Sequence, residues 1–221
     1  MTEFAAIVPV PETVSDNTSA AFGPLAGESP LVRVVRAALG GEATVVVAAA
    51  EPLVEICRES LAAQGLPSIT VVAARGRGAR ADCLAAAMEH TSERFVLVHD
   101  IRRPLASSAL QARVVVALRA GSPIVMPALS LTDSVKAVDA NGSVTATLDR
   151  STLHTVQYPR GFTTELLSDL LAHRASDDFD ELEEALAARV AITVVDGDPD
   201  AFVVELPRDT TFVEAIITSR R

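Results

Sequence analysis

The amino-acid sequence predicts an α/β fold: a sheet dominated by parallel strands, helices packed on both of its faces, and a protruding antiparallel β-arm. Three observations carry this. Short apolar runs rich in β-branched residues alternate with stretches of helical period up to residue 127. Between residues 131 and 156 that alternation stops, and two extended runs flank the turn pair Asn141-Gly142. Hydrophobic residues make up 49% of the chain, which supports a substantial core, yet no apolar run approaches the roughly 20 residues of a membrane span.

The elements follow in order. Residues 4–9, 43–49, 69–73, 94–99 and 123–127 read as buried parallel strands. Leu31 to Leu39, Pro52 to Ala63, Ala81 to His90 and Ser108 to Ala120 read as the crossover helices between them. After the arm, helices are expected from Thr163 to His173 and from Asp178 to Ala188. Strands follow at Ala191 to Val195 and Phe202 to Val204, then a terminal helix from near Pro207. The acidic run from Ser176 to Glu181 fits a helix N-cap and first turn, where negative charge meets the positive end of the helix dipole. Residues 10–30, rich in Ser, Thr, Pro and Gly, have the composition of a mobile loop.

At 221 residues the chain suits one domain spanning 1–221, with the arm as an excursion at about 131–156. The N-terminal residues lack the basic flank and cleavage-like end of a secretion signal, so the expected location is the cytoplasm. Cys57 and Cys83 form neither a metal-type spacing nor a disulfide framework. A net charge of −10 argues against nonspecific nucleic-acid binding, which requires an extended basic surface. The 19 basic residues comprise a single lysine, Lys136, and eighteen arginines.

Three clusters carry possible chemistry. Arg75 to Cys83 follows a strand and opens a helix; its glycines, arginines and helix N-terminus suit an anion, or simply form a surface turn. Val98 to Pro104 ends the fourth strand, where Asp100 either binds ribose hydroxyls or a magnesium ion, or caps the turn. At the base of the arm, Arg150 either binds a phosphate or pairs with Asp149.

Taken together, these segments resemble the 2-C-methyl-D-erythritol 4-phosphate cytidylyltransferase family. VLVHDIRRP is similar to that family's VLVHDAARP, RGARADCLAAAM to its GGxxRxDSVxxGL, and LTDSVKAVDANGSVTATLDRSTLHTVQYPRGF to its long arm motif. The resemblance implies a Rossmann-like nucleotidyltransferase fold and an enzyme that transfers CMP from CTP to methylerythritol phosphate, releasing pyrophosphate, with Mg2+, in isoprenoid biosynthesis. It implies nucleotide contacts at Arg80, Asp82, Cys83, Asp100 and Arg103, with Asp100 also the candidate metal ligand. It places Ser134, Arg150 and Tyr158 toward the sugar phosphate, and it implies a homodimer whose arms cross.

The sequence departs from the pattern where the family wraps the triphosphate. Its glycine-rich loop is replaced by residues 9–25, with no glycine before Gly23 and no basic residue before Arg33. Val203 stands where the family has a second lysine. Cys83, Tyr158 and Arg160 replace a serine, a threonine and a glutamine. Loss of one such donor costs about 10²–10³ in rate. The expectation is an inactive or severely impaired homologue. The alternatives are a non-catalytic dimeric binding or regulatory paralogue, and a transferase with changed nucleotide or sugar-phosphate specificity.

Overall fold

The computed structural model describes residues 2–41, 43–174 and 179–220. Five strands fall on the predicted runs: β1 (Phe4–Val10), β2 (Thr44–Ala49), β3 (Thr70–Ala73), β4 (Phe95–Val98) and β5 (Ile124–Ser130). β6 (Val135–Val138) and β7 (Val144–Leu148) form a separate two-stranded sheet. β8 (His154–Val156), β9 (Arg160–Thr163) and β10 (Thr193–Asp196) return to the main sheet. Its order is β10-β5-β9-β4-β1-β2-β3, with β8 also paired to β5. The pairs β1·β2, β2·β3, β1·β4 and β5·β10 are parallel.

Strand side chains alternate between two cores. Phe4, Ala6, Val8 and Val10 point with Val45, Val47 and Leu97 to one face, while Ile7 points with Val46, Val96 and Val98 to the other. Both faces are covered, which explains why these strands read as unbroken apolar runs rather than as hydrophobic–polar alternation. The helices are α1 (Ser19–Phe22), α2 (Pro30–Leu39), α3 (Val54–Ala63), α4 (Arg80–Met88), α5 (Ser108–Arg119), α6 (Thr164–Ala172), α7 (Glu181–Ala187) and α8 (Thr210–Ser219). α2, α3 and α5 fill the first face through residues such as Leu31, Leu61 and Val114. α4, α6 and α7 fill the second through Leu84, Leu167 and Leu182. No helix among the described residues is long and apolar enough to cross a membrane.

Several sequence expectations are corrected. Arg160–Thr163 is a strand, β9, inserted antiparallel between β4 and β5. Gly161 permits this insertion, because a Cβ there would come within 2.5 Å of Val114 and 2.7 Å of Leu118 on α5. The arm is shorter than 131–156: the hairpin closes at Leu148, its turn held by the Asp139 side chain accepting from Asn141 and Ser143, and β8 pairs with β5 instead. Phe202 to Val204 forms no strand. The segment makes a backbone bond from Val204 to the Arg102 carbonyl, and Val204 packs with Leu25, Leu206, Val213 and Ile217. Residues 10–30 are also more regular than their composition implies. Glu12–Asn17 is a 3-10 helix followed by α1, and Val14, Ala21 and Leu25 are buried as anchors. The start expected for α7 at Asp178 lies outside the described residues, but Asp180 caps the helix by accepting from Leu182 and Glu183.

Candidate functional site

β1 is flanked by β2 and β4, so the chain leaves it in opposite directions across the sheet. In open α/β sheets the crevice beyond the carboxyl ends at such a switch point is the ligand site. A groove of about 600 Å³ lies there, bounded on one side by residues 11–17 and on the other by Arg77, Arg80, Asp100 to Arg102, and Phe179. A larger polar depression of about 780 Å³, lined by Glu93, Arg94 and the start of α6, sits at the opposite end of β4 and contains none of the expected site residues.

The first wall is built from the end of β1. The Glu12 amide donates to the Gly78 carbonyl at 2.8 Å, and the Asn17 side-chain amide donates to the Leu206 carbonyl at 2.8 Å. Gly78 has φ +70°, and a Cβ on it would come within 2.6 Å of the Ala50 Cβ, so only glycine fits this close approach. The same position lies 3.6 Å from Glu12 Oε2, which puts that carboxylate beside the amino end of α4. Asp82 fills the end itself: its Oδ2 accepts from the amides of Arg77 (3.1 Å) and Ala79 (3.2 Å). Backbone donors at a helix N-terminus would bind an added anion well. Here two of the protein's own carboxylates already sit there.

On the opposite wall the arginines have partners. Asp100 is buried, and its two oxygens accept from Arg102: Oδ1 from the amide at 2.9 Å and Nε at 3.2 Å, and Oδ2 from Nη2 at 2.8 Å. Burial pulls the Asp100 pKa upward, but the hydrogen bonds and charge of Arg102 outweigh it and hold the carboxyl below its ordinary value. Arg80 donates to Glu181 Oε1 from Nε at 2.9 Å and from Nη2 at 2.6 Å, and Nη2 also reaches the Tyr158 hydroxyl at 3.2 Å. Burial lowers the Arg80 pKa and the Glu181 carboxylate raises it; the net shift is upward. Arg160 donates from Nη1 to Asp180 at 2.9 Å and to Glu181 Oε2 at 2.6 Å. Its guanidinium lies 4.3 Å from the centre of the Tyr158 ring, which also sees Arg80 at 5.2 Å and Arg103 at 5.8 Å. Glu181, with 0% exposure, therefore accepts from three side chains on two other parts of the chain.

Of the expected nucleotide contacts, Arg80 and Asp100 line the groove. Asp82 lies beneath it as the helix cap. Cys83 is buried, its Sγ 3.8 Å from the Gly78 carbonyl, and burial pushes its thiol up to about 12, so it is a core residue. Arg103 is buried below the groove and donates to the carbonyls of Ala201 and, at 3.0 Å, Val156. Tyr158 is buried among arginines, with burial and Glu181 raising its pKa. Ser134 and Arg150 sit exposed near the arm. Arg150 donates to the Thr132 carbonyl, and Asp149 accepts from the Ser151 amide. Neither Ser134 nor Arg150 lines the groove, so within one chain the three sugar-phosphate candidates are not brought together. The residues present do not fit a magnesium ion: both Asp100 oxygens are engaged by Arg102, and no cluster of three metal-ligating side chains exists among the described residues.

The sequence reading missed Glu181. An acidic residue in a helix's first turn is normally solvated, and the one available signal was the arginines around it, which require a counter-ion if buried.

Comparisons with known proteins identify the fold's relatives. The family model described as "IspD: 2-C-methyl-D-erythritol 4-phosphate cytidylyltransferase" matches residues 11–219. A protein of that name from Rhodococcus jostii (strain RHA1) is 40% identical over 210 residues, covering 92% of this chain and 89% of that protein. The bifunctional enzyme IspD/IspF of Paracoccus denitrificans (strain Pd 1222) is 36% identical over 202 residues, covering 88% of this chain and 50% of its own length. The solved cytidylyltransferase of Thermus thermophilus superposes with a TM-score of 0.78 at 26% identity, covering 98% of this chain and 100% of that one. With a family match over nearly the whole length and a relative at 40% identity, the chain belongs to the 2-C-methyl-D-erythritol 4-phosphate cytidylyltransferase family.

Proposed function

We propose that this chain is a family member that no longer transfers CMP from CTP at a useful rate, and that it acts as a dimeric binding or regulatory protein. The carrying observation is the placement of Glu12 and Asp82 at the amino end of α4, in the region where the family's glycine-rich loop wraps a triphosphate. Catalysis of this transfer depends on positioning and on stabilising the charge of the departing pyrophosphate. Carboxylates oppose that charge, and Arg80 and Arg102 are already paired with Glu181 and Asp100. Mg2+ would enter only with a bound nucleotide. The homodimer reading is supported by the arm, which exposes Val138, Val144 and Leu148.

The test is pyrophosphate release from CTP, methylerythritol phosphate and Mg2+ with the purified full chain. The expected result is no release above the protein-free control. Release at a rate within about tenfold of the median enzyme turnover of roughly 10 per second would overturn the proposal. A transferase with changed specificity is the second reading. It is favoured by Tyr158 and Arg160, which reshape the substrate side around Glu181, and it predicts pyrophosphate release with a different nucleotide or sugar phosphate.

A further inference from the structure

The groove is open while the amino end of α4, Arg80 and Arg102 are engaged by the protein's own carboxylates, and that combination points to a class of ligand. Its apolar lining comes from Pro9, Pro11, Ile101 and Phe179. Its first wall offers the Thr13 and Ser15 hydroxyls and the exposed Glu12 and Asp16 carboxylates, which accept hydrogen bonds from hydroxyl and amino groups. The amino end of α4 is capped by Asp82. Arg80 is tied to a fully buried glutamate and Arg102 to a buried aspartate.

We infer that the groove selects a nucleoside of low negative charge, unphosphorylated or singly phosphorylated, and discriminates against triphosphates. Resting on the non-catalytic reading above, this names the ligand that remains once turnover is lost. The base lies on the apolar lining and the ribose hydroxyls donate to Glu12 and Asp16. Each added phosphate brings negative charge toward those two carboxylates, while Arg80 and Arg102 already share their charge with Glu181 and Asp100. In an ordinary triphosphate site affinity rises with phosphate number; here it falls.

The experiment is calorimetric titration of the full chain with cytidine, CMP and CTP at low ionic strength without divalent cations. It is repeated on the Glu12→Gln/Asp16→Asn double variant. The expected result is a dissociation constant that increases from cytidine to CTP by at least tenfold, with most of that spread abolished in the variant. Both positions are exposed, and an unchanged Tm confirms that the variant folds. CTP binding tightest to the unmodified chain, a spread that survives the double substitution, or no heat from any of the three at millimolar concentration would each overturn the inference. Pyrophosphate release is measured separately, so turnover with an inverted affinity order would sink the non-catalytic reading alone.

Discussion

Behind one wall of the groove Asp100, Arg160 and Glu181 are buried and paired, whereas on the other wall the carboxylates stand in water. Glu181 and Arg160 are almost wholly enclosed and hold three parts of the chain together. Glu12 and Asp16, on the facing wall, are exposed on a short 3-10 helix. The same residue types thus have different roles. Buried charge fixes architecture, because removing one partner strands the other in a low-dielectric setting. Exposed charge contributes little to stability and acts mainly on what approaches.

The sharpest way to break that contrast is Glu181→Ala. It strands Arg80 and leaves Arg160 with Asp180 alone, so urea denaturation should show a loss of about 3–5 kcal/mol. A loss below about 1 kcal/mol would mean the wall is held by its apolar contacts instead. Next in size is the pH response of His99, which is buried at the end of β4 and whose Nε2 has no hydrogen-bond partner among the described residues. Burial lowers its pKa from 6.5 to about 4. Between those values the unfolded chain binds a proton that the folded chain does not. This residue's contribution therefore falls as the pH is lowered from 6.5 to 4, by up to about 3 kcal/mol. His99→Leu should flatten stability in that window, and an unchanged slope would place the titration elsewhere. The smallest effect sharpens the other side: Glu12→Gln with Asp16→Asn should alter unfolding free energy by no more than about 0.5 kcal/mol while changing ligand preference.

The first five strands were legible because each is an apolar, β-branched run covered on both faces, and burial of that kind leaves its mark in a single segment. β9 was not. Arg-Gly-Phe-Thr has neither the run nor the alternation, and its strand character comes wholly from neighbours on both sides, with Gly161 admitting α5. Val203 and Val204 erred the other way, having strand propensity but no strand beside them to pair with. In the site, the missing basic loop could be read directly, since absence of residue types needs no geometry. Which arginines remain available could not, because pairing Arg80 with Glu181 joins residues 101 positions apart. Asp100 and Arg102 are close enough in sequence for the pairing to have been suspected, yet the notion of a metal ligand competed with it.

The segment from Ala201 to Leu206 has a consequence of its own. It takes a hydrogen bond from Arg103 at Ala201, gives one from Val204 to the Arg102 carbonyl, and accepts one from Asn17 at Leu206. Asn17 and Arg102 line the two sides of the groove and Arg103 lies below it, so a single stretch of backbone laces the three together from behind.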